Sequence, residues 1–311
     1  MLRKQFGIIF KIFFFILLFF SFFPQSYNKK SSLHISYVPN YSFISNSSLI
    51  LDGNDQLDSF FAGNVTNGLS ESTAYIIEHL VIDTSELAYG IKISNTDRFL
   101  KIRYCTLVSS DSTPISTGIA IYNSAHITIQ NCNITNNAYG INMDKSSLIS
   151  VINNDIFDNI NDGIALINSN NNTLSGNYAI NNGGNGFRLH YSDNNIFSNS
   201  IQNKATHNTE NGILLSYSEH NTIFGLNSSY NRKNGLYLLK SNNNLVEHNY
   251  FNFNGENCIQ VDGNDNTISD NPNCDPVITS PLTEYFMAFM FILLIAGSVF
   301  LIIKRGKNNR L

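Results

Sequence analysis

One four-residue phrase recurs along this chain. It reads Gly, apolar, polar or small, apolar. The copies are Gly90-Ile91-Lys92-Ile93, Gly118-Ile119-Ala120-Ile121, Gly140-Ile141-Asn142-Met143, Gly163-Ile164-Ala165-Leu166, Gly186-Phe187-Arg188-Leu189, Gly212-Ile213-Leu214-Leu215 and Gly235-Leu236-Tyr237-Leu238. A worn copy follows at Cys258-Ile259-Gln260-Val261, and the steps between openings are 28, 22, 23, 23, 26, 23 and 23 residues. A sustained period in this range is the mark of a solenoid, and it overrides local secondary-structure signals.

The unit is too short for two helices, and its apolar residues alternate, which is the strand signal. In Gly163 to Asn185, Ile164 and Leu166 alternate, Asn168 to Asn172 form a polar turn, and Thr173-Leu174 begin a second short strand. Gly176-Asn177 make another turn, Tyr178 to Ile180 a third strand, and Asn181 to Asn185 the closing bend. Three short strands and three bends make one coil. Stacked coils place equivalent strands roughly 4.8 Å apart. The expected fold is therefore all-β: a single-stranded parallel β-helix with coils of 22–23 residues.

Two polar columns fit the bends. An Asn follows the second strand at Asn131, Asn154, Asn177, Asn199, Asn227, Asn249 and Asn271. Asn tolerates left-handed backbone, and stacked amides can bond from coil to coil as a ladder. A Ser column (Ser124, Ser146, Ser169, Ser192, Ser218, Ser241) lies six residues past each opening. Turn chemistry accounts for both columns more simply than sugar or metal contact does.

The flanks read differently. Residues 1–26, with Arg3, Lys4 and Lys11 around the apolar stretch Ile12 to Phe20, form a secretory signal or an uncleaved signal anchor. Residues 27–47 are a polar lead-in. The solenoid is expected over 48–275, with a cap and first coils at 48–89 and regular repeats at 90–272. After a linker at 276–284, residues 285–303 are an uncharged apolar run. It is long enough to cross a bilayer core of roughly 30 Å as a helix. Lys304, Arg305, Lys307 and Arg310 in the tail 304–311 predict a cytoplasmic end and a β-helix outside the cell. The expected partners are the membrane and, on the outer side, glycans or neighbouring surface proteins. The charged fraction of 14%, the net charge of −4 and the lack of a basic patch in the repeats argue against nucleic acid.

Outside placement matches Asn-x-Ser/Thr sequons at Asn40, Asn46, Asn64, Asn133, Asn171 and Asn227, although an Asn-rich repeat also generates these by chance. Cys105 and Cys132 hold matching places in successive units, where they can pair as a disulfide or serve as small apolar fillers. Cys258 and Cys274 flank the last coil, where a bond would pin its end.

The units, with Ser218-Glu219-His220-Asn221-Thr222-Ile223 and Ser241-Asn242-Asn243-Asn244-Leu245 as clear instances, resemble right-handed parallel β-helix repeats. That wide group includes pectin-degrading enzymes, alginate epimerases and the periplasmic protein that helps mature nitrous oxide reductase, and these two stretches are most similar to the last, Asn-rich type. The stretch from Phe61-Ala62-Gly63-Asn64 through Asn95-Thr96-Asp97-Arg98-Phe99-Leu100 is similar to the entry to membrane-anchored archaeal surface proteins of this kind. The resemblance implies the fold and leaves the activity open.

Catalysis would need carboxylates, or a carboxylate with Arg or Lys, converging on one groove. Of the motifs of pectin hydrolases only Asn95-Thr96-Asp97 is present, and Asp97 reads as a turn residue. Asp144 and Asp262 share a column but stand five coils, roughly 24 Å, apart, too far to hold one cation. Asp193 and Glu219, at matching places on adjacent coils, are the best carboxylate candidates, with two solvated turn acids as the plainer reading. His126 and His220 lie four coils apart, and His190, His207 and His248 occupy different places, so no cofactor or metal is expected. Tyr122, Tyr139, Tyr178, Tyr191, Tyr217, Tyr230, Tyr237 and Tyr250 could stack on sugars, but as a set they do not form a column. The reading is a tethered, non-catalytic binding protein or envelope component, with a polysaccharide lyase or hydrolase as the alternative.

Overall fold

The computed structural model of the protein describes residues 43–198 and 202–278. Among them the chain winds through three parallel sheets in fixed rotation, as a parallel β-helix of the right-handed class. A ten-stranded sheet runs from Leu49–Asp52 through Tyr89–Ser94, Thr117–Tyr122, Tyr139–Asp144, Ile164–Ile167, Phe187–His190, Ile213–Ser216, Leu236–Leu239 and Ile259–Asp262 to Val277–Ile278. A nine-stranded sheet starts at Tyr75–Glu78 and ends at Thr267–Ser269, and a seven-stranded sheet runs from Phe43–Ser45 to Lys204–Thr206. Each strand pairs with its equivalent one coil away, for example Ile141 with Ile164 and Ile164 with Phe187.

Register follows from alternation. In Ile127–Gln130, Ile127 and Ile129 are buried while Thr128 and Gln130 are half-buried. The inward residues of all coils merge into one continuous core, from Leu49 to Val261. The opening glycines are explained by close approach. A Cβ on Gly140 would lie 2.3 Å from the Gly163 carbonyl oxygen and 2.4 Å from Ile156 Cγ2. The chain turns inward there until one coil's backbone touches the next.

The bends are left-handed. In the coil that begins at Tyr139, Lys145, Leu148, Asn153 and Asp158 have φ of 52°, 56°, 53° and 58°. Each such residue costs about 1–2 kcal/mol in an L-amino acid. The buried residue just after each bend offsets that cost with hydrogen bonds. Asn154 N–H donates to Asn177 Oδ1 at 3.2 Å, and Asn177 N–H to Asn203 Oδ1 at 3.0 Å. A second ladder runs unbroken through Asn137, Asn159, Asn182, Asn208, Asn231 and Asn254. A third runs through Asn172, Asn195, Asn221, Asn244 and Asn266. The Ser column makes the same backbone-to-side-chain step, with Ser146 N–H donating to Ser169 Oγ at 3.1 Å. These bonds satisfy amide groups that would otherwise be buried unpaired.

The Asn column expected from the sequence therefore needs correction. Asn131 is the left-handed residue (φ 53°), and Cys132 holds the ladder place, donating its N–H to Asn154 Oδ1 at 2.9 Å. Near the other end Leu226 holds the ladder place, donating to Asn249 Oδ1, and Asn227 sits one residue past it. Asn203 is the ladder residue of its coil, while Asn199 lies outside the described residues. Asn249 continues to Asn271.

The start also differs from expectation. Phe43–Ser45, inside the polar lead-in, is already a strand paired with Leu80–Ile82. The helix Asn54–Phe60 follows the first ten-sheet strand, buries Leu57 in the core, and ends beside Phe61, stacked on Tyr75 at 4.4 Å. Arg98 clamps this cap through two hydrogen bonds to Asp58, at 2.9 and 2.7 Å. At the other end Cys258 and Cys274 form a disulfide. Cys105 and Cys132 are free, buried thiols. Their shared hydrogen bond, with burial, pushes Cys105 well above the usual thiol range and holds Cys132 below it, and both sit sealed in the core as small apolar fillers. The apolar segments 1–26 and 285–303 lie outside the described residues. Among the described residues no helix is long and apolar enough to cross a membrane.

Candidate functional site

Alternation leaves two outward columns on the ten-stranded sheet. One holds Lys92, Ala120, Asn142, Ala165, Arg188, Leu214, Tyr237 and Gln260. Its neighbour holds Ser94, Tyr122, Asp144, Ile167, His190, Ser216, Leu239 and Asp262. Asp144 and Asp262 share a column as expected and stand far apart in it.

Toward the N-terminal end, Lys92 Nζ lies 5.1 Å from the ring centre of Tyr89 and 5.3 Å from that of Tyr122. Burial, aided by a hydrogen bond with Tyr89, pushes the Tyr122 phenol up to about 12. Asn142 opposes that shift from the next coil, and its Oδ1 is buried without a hydrogen-bond partner.

The denser cluster lies three coils further on. Asp162, just before the opening Gly163, is a buried acid. It accepts the backbone N–H and the Nδ2–H of Asn185, both at 2.8 Å. Its other oxygen faces Arg188 Nη1 at 3.6 Å. Asp162 ends a fourth ladder, Asn185, Asn211, Asn234 and Asn257, whose donors point toward the N-terminus, opposite to the other three Asn ladders. A carboxylate suits that end because it only accepts. His190 Nδ1 lies 2.9 Å from Ser216 Oγ. Burial first, and the Arg188 charge second, hold its imidazole below the usual value, which favours the neutral form.

Next to His190 the chain bends through Tyr191, and one coil on through Tyr217. Both are left-handed, and their rings stack with centres 5.0 Å apart and planes 23° apart. They are 50% and 39% exposed. Lys240, the next residue of this corner, sets Nζ 5.4 Å from the Tyr217 ring centre. The result is a flat aromatic shelf with a cation at one end and a neutral imidazole, a guanidinium and a hydroxyl beside it. Such a shelf can hold the apolar face of a sugar ring while its rim bonds hydroxyl or carboxylate groups.

The sequence separates these aromatics, yet Tyr191 and Tyr217 share an offset of five from their opening glycines and do stack. The Asp162–Arg188 meeting was missed because its members have different offsets and lie on different coils. The column just before each opening, Asp162, Asn185, Asn211, Asn234 and Asn257, is the signal that would have exposed it. Asp193 and Glu219 do meet, but as ladder members. Asp193 Oδ1 accepts the Glu219 backbone N–H at 2.7 Å, and the Glu219 carboxylate accepts from Asn242 at 2.8 Å. Asp97 is held by Asn54 at the cap, at 2.8 Å.

No curated protein sequence matches this chain. Among solved structures it is similar to the periplasmic alginate epimerase AlgG, at 15% identity and a TM-score of 0.53 over 66% of this chain and 50% of that one. The Azotobacter vinelandii mannuronan C-5 epimerase AlgE4 A-module matches at 16% identity and 0.50, over 66% of this chain and 64% of that one. The catalytic domain of a GH87 alpha-1,3-glucanase matches at 14% and 0.50, over 79% and 56%. The chain thus spans half to two thirds of the length of these proteins, and the likeness is one of fold. A family profile described as periplasmic copper-binding protein (NosD) matches residues 61–280.

Among the described residues no group of three or more His, Cys, Asp or Glu side chains is placed to hold a metal ion. His79, His126 and His207 are corner residues stacked on Tyr104, Phe99 and Tyr230 in neighbouring coils. The paired thiols Cys105 and Cys132 are sealed in the core. With well over half of its 311 residues matched, and with the Asn-laddered β-helix that the match covers, this chain belongs to the NosD family.

Proposed function

We propose that this chain is a membrane-tethered, extracellular β-helix that binds a glycan along the Arg188–Tyr217 side of its ten-stranded sheet, and that it works by binding. The observation that carries this reading is the exposed pair Tyr191–Tyr217, stacked at 5.0 Å, with the His190 ring against both and Lys240 Nζ 5.4 Å from the second ring centre. Exposed rings held by the backbone bend lose little freedom when a sugar stacks on them. The cations favour a glycan that carries carboxylates. Placement outside the cell is supported by the basic tail after 285–303, by the disulfide Cys258–Cys274, and by the periplasmic description of the family. The similar folds named above act on polysaccharides, which supports the ligand class. The test is a glycan array, with neutral and uronate-bearing members, probed with the full chain in detergent. Retained uronate-bearing glycans, and a loss of about tenfold for each ring removed in Tyr191→Ala and Tyr217→Ala, are expected. A flat array overturns the glycan reading, and unchanged binding by the double variant overturns the site.

A second reading has one observation in its favour. Arg188 and a neutral His190 project from the same strand beside the buried Asp162. A guanidinium that neutralises a sugar carboxylate next to a neutral base is the pairing needed to remove a proton beside that carboxylate. New unsaturated or reducing ends formed from a uronate polymer by the wild type and not by His190→Gln would establish catalysis.

A further inference from the structure

The two ends of the solenoid are finished differently. The first coil carries the helix Asn54–Phe60 with Leu57 in the core. The last coil has no such cover among the described residues. After Val261 no described residue is buried, and Val277–Ile278 pairs through only two residues with Gln260 and Val261. The Asn ladders stop at Asn254, Asn257, Asn266 and Asn271. An uncovered solenoid end leaves core and strand edge open to solvent.

The surface beside this end changes in the same direction. One left-handed corner holds, coil after coil, Asn136, Asp158, Asn181, His207, Tyr230 and Phe253. Its first three members are polar and its last three are rings. His207 stacks on Tyr230 at 5.2 Å, and Tyr230 on Phe253 at 5.0 Å. Tyr230 is 52% and Phe253 75% exposed. On the adjoining face the column Asn133, Asp155, Tyr178, Lys204, Asn227 ends in Tyr250, which is 47% exposed. Tyr250 also lines an open cleft of about 470 Å³ with His248, Asp270, Asn271 and Pro272. Coil stacking explains why the rings touch each other. It does not explain why they gather toward the last coil, where Val277 and Ile278 are exposed as well.

We infer that the uncovered end and its aromatic corner, Tyr230, Tyr250 and Phe253, dock into the headgroup layer of the bilayer that the chain enters just beyond. This rests on the tether in the reading above. The apolar run starts seven positions after Ile278, a reach of at most about 25 Å, so the end stays near the membrane surface. Aromatic side chains with one polar edge prefer the lipid–water boundary. Asp262, Asp265, Asp270 and Asp275 lie on the same last coil, so the fitting surface is zwitterionic rather than anionic.

The chain has no Trp, so one introduced indole reports its own surroundings. Full-length Phe253→Trp and Tyr230→Trp are reconstituted into phosphatidylcholine vesicles containing brominated lipid. Tyr104→Trp serves as the control, on a coil six steps from that of Phe253, roughly 29 Å away. Both test indoles should emit to the blue of the control and be quenched by the brominated lipid at least about twofold more strongly. Replacing part of the lipid with an anionic one at low salt should shrink that difference. If the protein floats with the vesicles but both test indoles respond only to aqueous iodide, as the control does, docking is overturned and the tether stands. If the protein does not float, the tether fails and docking with it. Protection from iodide in detergent that rises with protein concentration would assign the corner to a second copy and overturn the lipid assignment.

Discussion

His190 shows how one side chain is set by its neighbours. It shares a strand face with Arg188 and meets Ser216 from the next coil, and burial with the Arg188 charge favours its neutral form. A depressed folded pKa means that its contribution to stability is present above the unfolded value near 6.5 and is lost as pH falls through the folded value. The wild type should therefore lose melting temperature between about pH 7.5 and about pH 5 more steeply than His190→Gln, as read by circular dichroism. Equal slopes would mean that the imidazole is not buried as described. None of this is visible in the sequence, where His190 is one polar letter at the end of an alternating stretch. Its environment comes from Arg188 two residues before and Ser216 twenty-six residues after, and only the register brings these together. Tyr191 and Tyr217 were closer to legible, since counting from each opening Gly gives both the same offset.

At the scale of the coil the sequence says most. The opening glycines, three alternating stretches and the Ser column lead directly to parallel coils, because each marks a geometric need: close approach, an inward face, a satisfied bend. The Asn column is harder to read because Asn serves two places side by side. It suits the left-handed bend, as Asn131 and Asn153 do, and it suits the buried ladder position just after, as Asn154 and Asn177 do. A sequence with Asn in one place and Cys or Leu in the other gives no local sign of which is which. Mutation separates the roles. Asn177→Ala strips the acceptor from Asn154 N–H and Nδ2 and the donor from the Val151 carbonyl, at a cost of roughly 2–4 kcal/mol. Asn131→Ala loses only some tolerance for the bend, about 1 kcal/mol. Urea unfolding of the two variants should rank them in that order, and the reverse order would contradict the ladder assignment.

Across the whole molecule, coils touch only their neighbours, so stability is local and the ends are the weak points. The disulfide Cys258–Cys274 closes a sixteen-residue span at the last coil, worth about 3 kcal/mol for a loop of this length. In Cys274→Ser, hydrogen exchange should quicken over 259–269 while the coils before Gly212 keep wild-type protection. Uniform quickening would show that the solenoid melts as one unit. The unequal ends also decide how copies can meet. A stack of identical coils is a screw, and two screws can in principle continue each other into a filament without limit. The helix Asn54–Phe60 blocks one face of that repeat, so head-to-tail growth has no partner surface. The same short helix that completes the core thus also keeps the tube from being prolonged through its first coil.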